Sequence, residues 1–291
     1  MKKAAAILAL FAFLPTQLFS WSAKGHAIIA DIASARLTPV AQKNVKLLLG
    51  DDTLGSVSSW ADDVRKDRDA TYGWHFVDIP KDATGYSDSR DCFRPDEKHP
   101  SSQTDHQNCV VDRIEMFEKV LADENASRTD RVEALKFLVH FVGDIHQPLH
   151  AIDEARGGND IKVTVFGSGD CGKYPCNLHG VWDYSLVEHT GYQEDQYVRH
   201  LQDLIRTSHM EERAAGRPED WANESFQDAR KIIAGHGGSI GASIDETYYQ
   251  ANIKLVDERL ALAGVRLAVL LNDTLGKIPT KKLAQDLKQH S

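Results

Sequence analysis

The sequence predicts a mainly α-helical fold, a single compact helical domain with long loops and at most a small β-hairpin. Three observations carry that prediction. Apolar residues recur at helical spacing along several separate stretches. β-branched residues concentrate in one short run, Ile161 to Phe166. No repeat, no low-complexity tract and no Pro-, Gly- or Ser-rich linker divides the chain.

Residues 1–20 have the form of a signal peptide. Lys2 and Lys3 make a basic start, Ala4 to Leu14 is apolar, and Pro15 to Ser20 is less so. The apolar run is too short to span a bilayer comfortably. Leu18 stands where a small residue is usual, so pattern alone leaves the cleavage point open. Cleavage after Ser20 would start the mature chain at Trp21, with residues 21–291 forming one domain. No second apolar run is long enough for a membrane, so the expected product is soluble and secreted or periplasmic.

The helices follow in order. Thr38 offers a cap and Pro39 a first-turn proline to a run ending at Leu49 before Gly50. Val110 to Leu121 has apolar residues at Val110, Ile114, Phe117, Val120 and Leu121. Val132 to Ile145 is more strongly patterned. Trp221 to Ile233 is a further helix, and Ile244 to Leu271 reads as a long core helix. Gly73 to Asn108 is rich in Asp, Ser, Pro and Gly and should be mostly loop. Ile161 to Phe166, between Gly157-Gly158-Asn159 and Gly167, reads as a strand of a small hairpin. The tail after Gly276, residues 276–291, is polar and expected to be loosely held.

Four cysteines, Cys92, Cys109, Cys171 and Cys176, favour disulfides in an exported chain. The simplest pairing is local, 92 with 109 and 171 with 176, and two other connectivities stay open. A cysteine zinc site is the weaker alternative, since no Cys-x2-Cys spacing occurs. The net charge of −9 becomes two units more negative once Lys2 and Lys3 are removed. Such a chain lacks the basic surface of an ordinary nucleic-acid binder. Carboxylates that hold metal, however, count as negative until the metal arrives.

The densest chemistry lies in His140-Phe-Val-Gly-Asp144-Ile-His146-Gln-Pro148-Leu-His150. His140 and Asp144 are four apart and share a helix face. Pro148 disturbs or ends that helix, so His150 aims elsewhere. A lone carboxylate among Phe141, Val142 and Ile145 is costly to bury unless paired. A core histidine beside a helix-end carboxylate would explain one such pair. Other settings repeat the theme: Trp21-Ser-Ala-Lys-Gly-His26, Trp60-Ala-Asp62-Asp63-Val-Arg65, Trp74-His75-Phe76-Val77-Asp78, and His179-Gly-Val-Trp182-Asp183. Each alone has a plain structural explanation. Together they supply the nitrogen and oxygen donors that zinc prefers.

This order of motifs, from Trp21 through Asp183, resembles the trinuclear-zinc, single-strand-specific nucleases that also act as 3′-nucleotidases (type I nucleases). Zinc-dependent phospholipase C enzymes are their distant relatives. The resemblance implies a phospholipase C/nuclease-like helical fold and three Zn2+ ions. Asp62, His75, His140 and Asp144 would hold one zinc. Trp21, through its α-amine and carbonyl, would hold a second with His26 and Asp144, with Asp144 bridging. That role requires Trp21 to be the mature N-terminus. His150, His179 and Asp183 would hold a third, more exposed zinc. The implied activity is endonucleolytic hydrolysis of single-stranded DNA and RNA to 5′-phosphorylated nucleotides, with removal of phosphate from 3′-mononucleotides. The water would be activated by the two close zincs, and the third would stabilise the leaving 3′ oxygen.

Arg65 matches the family's phosphate-binding arginine, and Asp78 would orient it; otherwise the two form an exposed salt bridge of little worth. Phe76 could stack on a base or belong to the core. Asn159 could read a base edge, with Gly157 and Gly158 permitting close approach, or serve the turn. His146 faces another side of the helix and is left out. The expected partners are nucleic acid and 3′-mononucleotides, with no membrane and a monomeric chain. Two rivals remain. One is a zinc-dependent phospholipase C, against which Asp183 stands where those enzymes typically have Glu. The other is a non-catalytic exported zinc-binding protein.

Overall fold

The first helix begins where Ser22 can cap it: its hydroxyl accepts from Gly25 N–H at 3.3 Å and opens α1 (Ala23–Ser34). The computed structural model describes residues 21–92 and 108–289. The signal peptide, residues 1–20, and its cleavage point lie outside the described residues. Thr38 and Pro39 start α2 (Pro39–Leu49) as the sequence predicts, with Thr38 accepting from Ala41 N–H. Two short helices follow, α3 (Leu54–Val57) and α4 (Trp60–Val64), then a 3-10 turn over Asp69–His75 and α5 (Asp88–Asp91).

α6 (Val110–Ala122) and α7 (Arg128–Asp144) pack on each other through aromatic rings. Phe117 stacks on Phe137 at 4.6 Å, and Phe137 on Phe141 at 5.1 Å. From Phe137 to Asp144 every residue of α7 is buried. A helix buried on all faces is a central helix, not a surface one. Gln147 is extended (ψ 115°), as the residue before a proline must be, and Pro148 opens a separate 3-10 turn, Pro148–Ala151. The helix therefore stops at Asp144, and His150 leaves in a new direction.

The segment Ile161 to Phe166 runs antiparallel beside the hairpin arm as the sequence predicts, Val163 N–H donating to the Cys176 carbonyl at 3.2 Å and Leu178 N–H to that of Ile161 at 2.9 Å, and it carries β1 (Thr164–Val165). A tight turn, in which Val165 and Ser168 exchange backbone hydrogen bonds at 2.7 and 2.9 Å, diverts the chain. The hairpin is β2 (Asp170–Cys171) with β3 (Tyr174–Pro175). After it come α8 (Leu178–Gly180), a π-helical turn at Val181–Ser185, and α9 (Leu186–His189). Beyond α10 (Glu194–Thr207) and α11 (Pro218–Ala234), β1 finds a parallel partner in β4 (Ser243–Ile244). Ile244, expected inside the long helix, is thus strand. Asp245 caps α12 (Glu246–Thr274) by accepting from Tyr248 N–H at 3.0 Å.

The tail is packed. α13 (Thr280–Gln289) buries Leu283 and Leu287, four residues apart, which a loose segment would not do. The cysteines pair locally, Cys92–Cys109 and Cys171–Cys176, so their thiolates are not available to zinc. Arg259 and Arg266 of α12 are buried against Glu224 and Asp228 of α11. Pairing is what makes such burial tolerable. Among the described residues no helix is long and apolar enough to cross a membrane.

Candidate metal centre

α7 delivers His140 and Asp144 to the interior, one turn apart, and three other segments bring side chains to them. Asp144 is fully buried, and its two oxygens diverge. Oδ1 lies 3.3 Å from His26 Nε2 on α1. Oδ2 lies 2.9 Å from His75 Nδ1 and 3.3 Å from His140 Nε2. This is the arrangement of a carboxylate shared by two cation positions. Asp62, from α4, places Oδ1 3.8 Å from His140 Nε2. The ring of His26 stacks on that of His140 at 3.9 Å. The neighbouring Asp63 is exposed and paired with Lys66, whereas Asp62 is buried within reach of His140.

Gly143, unremarked in the sequence, sits in the wall behind His26. A Cβ on it would stand 2.7 Å from His26 Nδ1. Trp21 is wholly buried, five residues before His26, and Ser22 N–H donates to the Asp183 carbonyl at 2.8 Å.

A further group joins His150, from the turn that Pro148 opens, to His179 of α8 and Asp183 of the π-helical turn. His150 Nδ1–H donates to the His75 carbonyl at 2.8 Å, and His179 Nδ1–H to that of Gly157 at 2.7 Å. Both Nε2 atoms therefore carry lone pairs. They face each other at 3.2 Å, with Asp183 Oδ2 3.3 Å from the His179 nitrogen. Three electron-pair donors held this close repel unless a cation lies among them, and backbone carbonyls behind ligating histidines are the usual way of aiming such donors. His140 follows the same plan, with Nδ1–H donated to the Ser58 carbonyl at 2.7 Å. The donor set of histidine nitrogen and carboxylate oxygen fits zinc. This third group is only slightly less buried than the others, with 4–5% of each residue exposed.

Electrostatics agree with the geometry. Burial pushes the imidazolium of His150 down to about 3, helped by His179, and that of His179 down to about 4. Burial likewise lowers His26 and His75. Burial opposes charge on His140 too, but Asp144 and Asp62 outweigh it and raise the group to about 9. Burial would raise Asp144, yet His140 and hydrogen bonds from three histidines hold it well below the usual carboxylate range. Burial drives Asp183 well above that range, against the pull of the Gln147 amide.

With this geometry in view, comparison with known proteins becomes decisive. The family model of the S1/P1 nucleases matches residues 21–276. The chain belongs to the S1/P1 nuclease family. It is a hydrolase of phosphodiester bonds. It is 32% identical to Endonuclease 2 of Arabidopsis thaliana, over 89% of this chain and 92% of that protein. It is 28% identical to Nuclease P1 of Penicillium citrinum (88% and 98% covered) and 27% identical to Nuclease S1 of Aspergillus oryzae (87% and 91%). The family match spans all nine proposed metal ligands.

Arg65 places a guanidinium nitrogen 3.2 Å from Asp62 Oδ1 and lies over the Tyr72 ring at 5.7 Å. Phe76 is half-buried and meets Tyr72 edge-on at 5.7 Å. Tyr72 escaped the sequence analysis, because no pattern ties it to His75. Asp78 is also half-buried. Asn159 donates its amide to the Arg156 carbonyl at 2.9 Å, so it serves its own turn. The close approach that Gly157 permits is to protein: with φ +61° its carbonyl holds His179, and a Cβ would run into the Leu149 carbonyl. His146 points away, donating to the Val142 carbonyl and accepting from Arg266 at 2.9 Å.

Proposed function

We propose that this nuclease is a three-zinc enzyme that cuts single-stranded DNA and RNA to 5′-phosphorylated nucleotides and removes phosphate from 3′-mononucleotides. It acts outside the cytoplasm, as a monomer, once the segment before Trp21 is removed. The observation that carries this reading is the convergence of buried histidine nitrogens on two buried carboxylates, Asp144 and Asp183. Asp62, His75, His140 and Asp144 would hold one zinc, and Trp21, His26 and Asp144 its neighbour. His150, His179 and Asp183 would hold the third. Zinc in these positions would supply positive charge for phosphoryl oxygens and lower the pKa of water from ~15.7 toward ~7.

The chain's own groups do the rest. Asp144 divides its two oxygens between adjacent positions and so fixes their spacing. Asp62 lies beside Arg65, whose planar fork would meet a phosphate; Asp78 would orient the same side chain. Phe76, beside Tyr72, offers a ring face on which an unpaired base can stack, worth ~1–3 kcal/mol. A duplex cannot present that face to a recessed site. Asn159 would read a base edge only if its amide is released from the turn. An acidic protein thereby binds a polyanion through a few local charges.

The test is zinc per chain, measured on protein whose N-terminus is verified as Trp21, alongside hydrolysis of single-stranded DNA, RNA, duplex DNA and 3′-AMP. Three zincs with chelator-sensitive, single-strand-selective cleavage supports the reading. Fewer than three zincs refutes the metal assignment, and equal cleavage of duplex refutes the stacking argument.

A further inference from the structure

Gln147 stands between Asp144 and His150 in sequence and is wholly buried. Its side-chain oxygen accepts from Leu149 N–H at 2.6 Å. A backbone N–H can only donate, so the atom facing it must be the oxygen, and the other end of the amide is NH2. That NH2 donates to Asp183 Oδ1 at 2.5 Å. The two bonds fix the side chain at both ends, between the turn that carries His150 and a carboxylate 36 residues away. The backbone of Asp183 is held separately, by Ser22 N–H at its carbonyl.

We infer that Gln147 is a positioning residue for the third metal. By holding Oδ1 it turns Oδ2 toward His179 Nε2, 3.3 Å away, and sets Asp183 relative to His150, whose turn it also braces. It offers only a donor to Asp183, so it is a partner of the carboxylate and not a second ligand. This rests on the three-zinc reading above. The competing explanation is that Gln147 merely braces the Pro148–Ala151 turn.

The experiment titrates zinc against a chromophoric chelator, resolving the successive dissociation constants of protein that begins at Trp21. Gln147→Met keeps the volume and removes both hydrogen bonds. Gln147→Asn keeps the amide but is one methylene too short to span both partners, and serves if the Met variant does not fold. Ser225→Ala is the control. It removes a hydrogen bond to the Ile145 carbonyl, 2.6 Å at the same helix end, without touching Asp183. The expected result is that one zinc of three binds about 10–100-fold more weakly in the Gln147 variants, while the other two and all three in Ser225→Ala hold as in the wild type. Three zincs at wild-type affinity, or a parallel weakening of all three, would overturn the inference. A wild type that binds fewer than three zincs would overturn the underlying reading, and this inference with it.

Discussion

Gly143→Ala puts the site and the helix into direct competition. Alanine gains at most about 1 kcal/mol over glycine in propensity, the helix-interior value, and Gly143 is the next-to-last residue of α7. The new Cβ, however, would stand 2.7 Å from His26 Nδ1, 2.8 Å from Cε1 and 3.3 Å from Ile29 Cδ1. Ordinary contact begins near ~3.5 Å, so the ring must retreat by about 0.8 Å. It has little room, because it is fully buried and stacked on His140 at 3.9 Å. Overpacking of this kind costs about 1–3 kcal/mol. The net is a loss of about 0–3 kcal/mol, or a fall of a few degrees in Tm for a chain this size. The fold survives. Metal geometry tolerates only about ±0.2 Å, so the shift removes His26 from its place. We expect the variant to bind one zinc at least ~10-fold more weakly and to lose ~100-fold in turnover on single-stranded DNA. Zinc titration, thermal unfolding and steady-state kinetics on one preparation decide the matter. Three tightly held zincs, full turnover and a raised Tm would mean that only propensity was at work and that the His26 wall has no role.

Two other outcomes follow from the same geometry. Arg65→Ala should leave zinc content unchanged and lower turnover on single-stranded DNA by roughly 10²–10³, the scale of losing one transition-state donor; unaltered turnover removes Arg65 from the phosphate site. In the metal-free protein His140 holds its proton up to about pH 9. Zinc must displace that proton at any lower pH, so affinity at the Asp62–His75–His140–Asp144 position should fall as pH falls, about tenfold per unit. Calorimetry in buffers of different ionisation enthalpy would reveal the released proton, and an affinity constant between pH 6 and 8 would contradict the assignment.

The long helices were legible because their burial is written in periodicity, and their caps in Thr38, Pro39 and Gly50. α10 was not. Its buried side is only Tyr197, Leu201 and Ile205, a thin stripe among charged residues. The tail failed for a related reason: two leucines four apart suffice to dock α13, yet they look unremarkable in a polar segment. β1 was seen as a strand beside the cysteine hairpin, but its second, parallel partner was not. Pairing with Ser243–Ile244 depends on where a tight turn sends the chain, and no local pattern encodes that destination.

The site divides along the same line. Spacing singled out the histidines and aspartates as candidates, and the resemblance to the family gathered them into sets. The residues that aim them could not be found in that way. Ser58 and Gly157 act through their carbonyls, Gly143 through the side chain it lacks, and Gln147 through an amide whose orientation depends on Leu149 N–H. None of these roles is a property of residue type. His146 makes the point from the opposite side. It sits two residues from Asp144, has the right chemistry, and takes no part, because the helix turns it toward Arg266. Ligand identity is therefore encoded locally, while ligand aim is a tertiary property. The variants that separate a working centre from a mere cluster of histidines are accordingly those at glycine, glutamine and the backbone.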